Sequence, residues 1–279
     1  MKVLITGASS GIGFEAAQAL AQQGFEVYAA ARRVALMEPL KAFGVVPVAL
    51  DLTDEASLQA CAATVGPVDI LVNNAGYGSM GAIENVPLEE ARRQLEVNLF
   101  GLSRLCQLFL PGMREKGSGR IINVSSIAGR VVMYFGGWYN VSKYAVEALS
   151  DALRIELKPL GVDVVLIEPG GIRTAWGTIA AEHLRSSSAG TAYAVPAERE
   201  ADAMDWAYSR PFLSKPQVVV RAILRACHAR RPRTRYHPGA GARFLPFLHS
   251  VLPTRWWDAL VRSLASPRVG RFVQRHGTS

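Results

Sequence analysis

Tyr139 and Lys143 stand four residues apart in Tyr139-Asn140-Val141-Ser142-Lys143, at the start of a helical stretch. Four residues is about one helical turn, so both side chains leave the same face. A phenol ordinarily titrates near ~10, too high for easy proton exchange near neutrality. An ammonium one turn away favours the phenolate, so the spacing predicts a lowered phenol pKa and a usable acid/base. Many surface helices carry this spacing by chance, and the rest of the chain decides whether it means chemistry.

The elements that would position the pair alternate along the chain. Residues 3–5 read as a short buried strand, followed by Thr6-Gly7-Ala8-Ser9-Ser10-Gly11-Ile12-Gly13 and a helix with Phe14, Ala17, Leu20 and Ala21 at helical spacing. Glycines at 7, 11 and 13 permit a tight turn and a close approach of backbone to a pyrophosphate at the helix N-terminus. A second strand, 25–31, ends at Arg32-Arg33, where an acid would suit the ribose of NAD and an arginine suits a 2′-phosphate, so NADP(H) is expected over NAD(H). A third, 45–50, ends at Asp51-Leu52-Thr53-Asp54; Asp51 is placed to meet an adenine edge, and Thr53 or Asp54 to cap the helix beginning near Glu55.

Strand 68–72 runs into Asn73-Asn74-Ala75-Gly76, a long helix over 88–110 carries Asn98, and strand 120–124 ends at Ser125-Ser126. The Tyr139 helix should reach about residue 157, where Pro159 and Gly161 stop it, before strand 162–167 and Glu168-Pro169-Gly170-Gly171. Such alternation predicts a Rossmann-like, doubly wound α/β fold with a parallel sheet covered by helices on both faces. Ligand groups should then gather at the strand C-termini, where the glycine loop, Asp51, Asn74, Ser126 and Pro169-Gly170 all fall.

Beyond Thr174 the regularity lapses. Residues 175–213 carry Trp176, a Ser186-Ser187-Ser188 run, Tyr193 and Trp206 among acids; they read as a substrate lid or as a peripheral helix pair. A helix is expected over 216–229, then an arginine-rich turn and an apolar-basic stretch. Pro246 and Pro253 should break that stretch and leave one short helix, 254–264.

The 279 residues, 49% hydrophobic and 19% charged, suit a single folded domain with a basic C-terminal extension from about 214. No apolar run approaches the ~20 residues of a membrane span. A strand starting at residue 3 leaves no room for a signal peptide, and Cys61, Cys106 and Cys227 form neither a disulfide framework nor a metal motif. A cytoplasmic setting is the expectation. The net charge of +8 is uneven: residues 210–279 hold 14 Lys and Arg against Asp258 alone, a net +13, and leave −5 on the remainder. Such a tail could meet anionic lipid, nucleic acid or an acidic carrier, or be a solvated face opposing the acidic body.

Together the motifs resemble the short-chain dehydrogenase/reductase family in its single-domain form. The matches are Thr6 to Gly13, Asn73-Asn74-Ala75-Gly76, Asn98, Ser126, Tyr139 with Lys143, and Pro169-Gly170 with Thr174, in family order and with thirteen residues from Ser126 to Tyr139. The resemblance covers residues 1–174 and implies a nicotinamide-dependent alcohol/ketone oxidoreductase needing no metal. By that analogy Tyr139 exchanges the proton with the substrate oxygen, Ser126 hydrogen-bonds that oxygen, Lys143 lowers the phenol pKa and binds the nicotinamide ribose, and Asn98 holds a water linking Lys143 to solvent. The cofactor set it implies is Gly7, Ser9, Ser10, Gly11, Ile12, Gly13, Arg32, Arg33, Asp51, Leu52, Asn74, Ala75, Gly76, Tyr139, Lys143, Pro169, Gly170, Ile172 and Thr174.

Arg233-Thr234-Arg235-Tyr236 with Pro238-Gly239, followed by Phe244-Leu245-Pro246, is similar to the C-terminal segment of retinol and 17β-hydroxysteroid dehydrogenases. That likeness implies a hydrophobic ketone or secondary alcohol, steroid-, retinoid- or lipid-like; Met133, Phe135 and Trp138 before the Tyr139 helix, with Trp176 and Tyr193 from the lid, are nominated as the pocket lining, though aromatics there could equally be core. The basic, Trp-rich tail could lie on an anionic membrane surface, where such substrates partition, or fold back to cap the substrate cleft. The family's assembly implies a homodimer or homotetramer on helices 88–110 and 139–157, and the basic segment shows no motif for reading nucleic acid. Two other readings keep the fold: a non-catalytic NADP-binding regulator, and a reductase of carrier-bound 3-oxoacyl thioesters.

Overall fold

The computed structural model describes residues 1–210 and 213–264. Short β-branched runs form a seven-stranded sheet, β1 (Lys2–Thr6), β2 (Glu26–Ala31), β3 (Val46–Ala49), β4 (Ile70–Asn73), β5 (Gly119–Val124), β6 (Val162–Ile167) and β7 (Arg235–Tyr236), in the order β3-β2-β1-β4-β5-β6-β7. Every pairing is parallel, from Val3 beside Val27 and Ile70 to Ile167 beside Tyr236. The six strands expected from periodicity are all present, with ends moved by a residue or two. The two-residue β7 was not legible, because a strand that short has no period to read; it exists only because Arg235 and Tyr236 pair with Leu166 and Ile167.

Successive residues of β1 point to opposite faces, and both faces are apolar. Val3 and Ile5 join a core with α1 (Gly11–Gln22) and α8 (Gln217–His228), whereas Leu4 joins one with α2 (Glu55–Val65), α4 (Gly101–Glu115) and α5 (Gly137–Leu157). Chain order reverses between β1 and β4, so the crevice beyond their C-terminal ends is the topological switch point where such sheets hold ligands.

The single helix expected over 88–110 is three segments. α3 (Leu88–Leu95) leads through a π-turn, Glu96–Phe100, into α4, with helical dihedrals at both junctions. A Cβ on Gly101 would lie 2.5 Å from the Leu52 carbonyl oxygen, so the wider turn ends where the helix presses against the chain beyond β3.

Residues 175–210 fold into α6 (Trp176–Ser188) and α7 (Ala194–Ser209). Ala180, Ala181, Ala197 and Ala201 let the two backbones approach, and with Met80, Ala82, Phe135 and Leu184 they form a third core of their own. Arg185 ties the pair together, reaching Glu198 at 2.9 Å and Asp202 and Asp205 at 2.8 Å. Among the described residues two helices follow α8. α10 (Thr254–Leu264) is as expected, but α9 (Phe244–Val251) contradicts the expected break at Pro246. Pro246 is the third residue of α9, where an amide would have no helical partner in any case. Among the described residues no helix is long and apolar enough to cross a membrane.

Candidate active site

The turn after β1 is shaped by what glycine lacks. Gly7 has φ +69°, and a Cβ there would stand 2.7 Å from Ala75 Cα; one on Gly13 would stand 2.5 Å from the Gly7 carbonyl oxygen. The turn is thereby drawn against the end of β4. Asn74 donates from Nδ2 to the Thr6 carbonyl at 3.0 Å, while Thr6 Oγ1 accepts the Asn74 and Ala75 amides at 3.1 and 3.0 Å. Asn74, expected as a cofactor ligand, thus uses its side chain as the clamp on the loop. Ser10, with extended dihedrals, precedes α1 without a side-chain cap and the first turn of α1 holds no acid; a Cβ on Gly11 would meet nothing within 4 Å. Free amides, a dipole end and open space fit a pyrophosphate, and Ser9, Ser10 and Ile12 border that opening.

Arg32 and Arg33 lie exposed beyond β2, with Arg33 Nη2 3.5 Å from Ser9 Oγ. Asp51 Oδ1 accepts the Thr53 amide at 3.0 Å and its hydroxyl at 2.8 Å; these bonds, with Arg32 nearby, hold its carboxyl below the usual range. Asp54 is the residue that caps α2, accepting from the Ala56 amide. The buried Leu52 side chain belongs to the core, as does that of Ile172. Pro169 accepts the Ile127 amide at 2.9 Å, and a Cβ on Gly170 would lie 2.1 Å from the Ala240 carbonyl oxygen, which places this turn tightly beside β7. Thr174 Oγ1 accepts the Trp176 amide and so starts α6.

Tyr139 and Lys143 sit one turn apart on α5, both buried, with Lys143 Nζ 5.9 Å from the phenol ring centre and donating to the Val124 carbonyl at 3.0 Å. Ser126, two residues beyond β5, accepts the Ala128 amide at 3.1 Å and lies near enough to the Tyr139 phenol for its hydroxyl to favour the phenolate. The loop between them is pinned by Asn140, which donates to the Ala128 and Val131 carbonyls at 2.7 and 2.8 Å and accepts the Met133 amide. Phe135 in that loop has φ 55°, the sole positive φ outside glycine among the described residues, a strain of about 1–3 kcal/mol retained in the loop that leads into Tyr139.

Asn98 is carried by the π-turn. Its Nδ2 donates to the Tyr77 carbonyl at 2.8 Å and Ser142 Oγ at 3.0 Å, and its Oδ1 accepts the Tyr77 amide at 3.0 Å. Gly76 threads between the two groups, since a Cβ there would stand 3.1 Å from Asn98 Oδ1 and 3.6 Å from Lys143 Nζ. The side chain of Asn98 is therefore the brace that joins the loop after β4 to α5.

The electrostatics reverse one expectation. Burial pushes the Tyr139 phenol up to about 12, with the Ser126 hydroxyl opposing, and burial pushes Lys143 down to about 8, with Glu147 opposing. A cation one turn away does not lower this phenol in the free site, because removal from water outweighs it.

Trp176 packs on Tyr139 with ring centres 5.2 Å apart, and Tyr208 lies 6.2 Å behind it. Gly78 and Gly177 make room for these rings: a Cβ on either would fall 2.6 Å from Trp176 or 2.2 Å from Tyr208. Of the five residues expected to line a substrate pocket, Met133, Phe135, Trp176 and Tyr193 gather in the third core. Trp138 is outside that cluster, since adjacent helical residues diverge by about 100°. Tyr193 stacks edge-on against Phe135 and donates to Glu84 at 2.8 Å. Tyr208 had no sequence signal; Asn140 and Ser142 had one, lying inside the Tyr-Lys spacing itself.

A glycine-lined cradle for pyrophosphate at the switch point, with a serine beside a buried tyrosine and a buried lysine at the adjoining strand ends, defines a dinucleotide-dependent oxidoreductase. The chain belongs to the short-chain dehydrogenase family, whose model matches residues 1–184. It is 38% identical over 263 residues to a probable short-chain type dehydrogenase/reductase of Helicobacter pylori, across 93% of this chain and 96% of that one. It is 39% identical over 188 residues to human 17-beta-hydroxysteroid dehydrogenase type 1, across 62% and 57% of the two chains. Among solved structures, a short-chain dehydrogenase from Sphingobium yanoikuyae in complex with NADPH superposes with a TM-score of 0.68 at 26% identity, covering 93% of this chain and 91% of that one. The protein is thus a nicotinamide-dependent oxidoreductase acting on CH–OH groups.

Proposed function

We propose that the protein interconverts a hydrophobic ketone and its secondary alcohol, using NADP(H) in preference to NAD(H). The observation that carries this reading is the buried Tyr139 phenol packed under the Trp176 ring, a proton donor roofed by aromatic surface. When bound, the nicotinamide supplies or accepts the hydride. Ser126 and Tyr139 both meet the carbonyl oxygen; Ser126 orients it, and the Tyr139 hydroxyl delivers its proton there as the oxygen gains charge. Lys143, charged at neutral pH, stabilises the phenolate left behind and contacts the nicotinamide ribose. Asn98 fixes the loop that passes between them. Arg32 and Arg33, exposed beyond the glycine turn, favour the 2′-phosphate of NADP(H).

With Trp176 seated on Tyr139, a bulky substrate enters only if α6 and α7 shift, so these helices act as the lid; Met133, Phe135 and Tyr193 line its inner side. Exposed Phe100, Val141, Tyr144 and Ile155 along the π-turn and α5 offer an apolar face for a second copy. The basic C-terminal extension meets an anionic membrane surface, where such substrates partition.

The test is NADPH and NADH oxidation against ketones from small to steroid-sized, with Tyr139→Phe beside the wild type. NADPH turnover should rise with apolar bulk and fall by roughly 10²–10⁴ in the variant. Cofactor binding with no turnover on any carbonyl would refute the reading. Light scattering tests the assembly, and a clean monomer would refute it.

A further inference from the structure

The crevice at the switch point is not the sole concavity. On the far edge of the sheet, where β6 and β7 end, a cavity of about 440 Å³ is lined by Arg130, Arg233, Arg235, Arg243, His237 and Glu168, with Ala242 and Pro246. Four guanidinium groups face one carboxylate. That carboxylate is 1% exposed and engaged by Arg235 at 2.9 Å and His237 at 3.2 Å, with Arg130 at 3.6 Å. Arg235 is further held by Asp151 at 2.8 Å and Glu147 at 3.3 Å. Among the described residues Arg233 and Arg243 have no acidic partner, and both are exposed at the rim. The surplus of positive charge is felt within the cavity, where burial and then Arg243, Arg130 and Arg235 hold His237 below its ordinary pKa. An excess of guanidinium in a concave site is how proteins hold a phosphoryl group.

The neighbouring surface says which source of phosphate fits. Arg243, just before α9, and Pro246 within it line the wall, and Phe244, Phe247 and Val251, at spacings of three and four, form one outward stripe beside it. Their exposures are 62%, 63% and 57%, and Trp256 in α10 is 69% exposed. A soluble phosphate has no use for an aromatic stripe next to its site, whereas a lipid bilayer presents apolar chains within a few ångströms of its phosphates.

We propose that the Arg130–Arg233–Arg243 cavity receives the head-group phosphate of an anionic phospholipid while the Phe244–Phe247–Val251 stripe and Trp256 enter the acyl boundary. The proposal rests on reading the C-terminal extension as membrane-facing, and assigns that contact a defined site. Arg235 and Glu168 form the cavity floor, so an occupied site adjoins the ion pairs that reach Glu147 on α5.

The experiment is co-sedimentation of the full chain with vesicles of phosphatidylcholine alone and of phosphatidylcholine with phosphatidylglycerol. The wild type should partition to the anionic vesicles and little to the neutral ones. Each surface arginine near an anionic membrane adds about 1 kcal/mol, roughly a fivefold change in partitioning. Arg233→Gln with Arg243→Gln should therefore lower binding about 25-fold, whereas Arg221→Gln with Arg225→Gln on α8 should change it less than about threefold. Phe247→Ser should weaken it independently of the arginines. Equal losses in the two double variants would overturn the cavity site and leave a diffuse electrostatic contact. No binding to either vesicle would overturn the membrane reading as well. Binding of free glycerol phosphate, lost in Arg233→Gln with Arg243→Gln but unaccompanied by vesicle binding, would overturn the lipid as its source.

Discussion

Arg235 offers the sharpest test of how the far edge of the sheet is held together, because removing it isolates carboxylates that cannot reach water. Glu168 is 1% and Glu147 6% exposed, and Arg235 contacts both. Arg235→Met keeps the apolar stem and removes the charge. Breaking one partner out of a buried ionic cluster costs about 3–5 kcal/mol. The lower end applies here, since Arg130 and His237 remain near Glu168. Unfolding entropy of about 2.1 cal/mol/K per residue gives roughly 0.6 kcal/mol/K for a chain of this length, so a loss of about 3 kcal/mol lowers Tm by about 5 °C. Burial, the largest cause, already raises both carboxyl pKa values above the ordinary 4.5 with Arg235 in place. Without the guanidinium they rise further. A folded-state carboxyl pKa above the unfolded value means that the native state binds more protons in the window between them, so stability falls as pH rises through it. The penalty is then full above the raised pKa and fades as pH falls toward the ordinary one. Thermal melts of both proteins at pH 8 and pH 5.5 should show a drop of about 5 °C at the higher pH and a smaller one at the lower. A drop below about 2 °C at pH 8, or the same drop at both, would refute the account.

Three further outcomes follow from the site. For ketone reduction, kcat/KM should hold level below pH 7.5 and fall as pH rises through about 8, where Lys143 loses its charge while Tyr139, pushed up to about 12, keeps its proton; a profile flat to pH 10 would contradict this. Gly13→Ala would put a methyl 2.5 Å from the Gly7 carbonyl oxygen and 2.6 Å from Asn74 Nδ2, so NADPH titration by fluorescence should show at least a roughly tenfold weaker Kd with far-ultraviolet dichroism unchanged. Burial pushes the thiols of Cys61, Cys106 and Cys227 up to about 11, 12 and 12, so a thiol reagent at pH 8 should label none of them until denaturant is added.

What was legible in the sequence was what local rules determine. Strands and crossover helices follow from period and punctuation, and the glycine turn from its place between a strand and a helix; Gly7, Gly13 and Asn74 then fall where the turn meets β4. Spacing could not show that Trp176 and Tyr208 would close over Tyr139, since that contact depends on how α6 and α7 pack through alanines and not on any motif. Nor could it show the π-turn, which depends on Gly101 meeting the chain at Leu52.

The sign of the Tyr139 shift was missed for a related reason. Sequence names the nearest cation, but a pKa depends as much on how much water the fold leaves, and here Ser126, Trp176 and the Asn140-pinned loop leave almost none. The two facts are consistent once charge is followed through the reaction. A buried lysine held near 8 is still largely protonated at neutrality, so its field is present when the phenol must part with its proton. On the proposed mechanism the free site thus holds a donor rather than a base, and the lysine would act on the phenolate that proton transfer creates. That division of labour needs Tyr139 to be buried and Lys143 to be paired with a distant carboxylate, which is the position Glu147 occupies one turn further along α5.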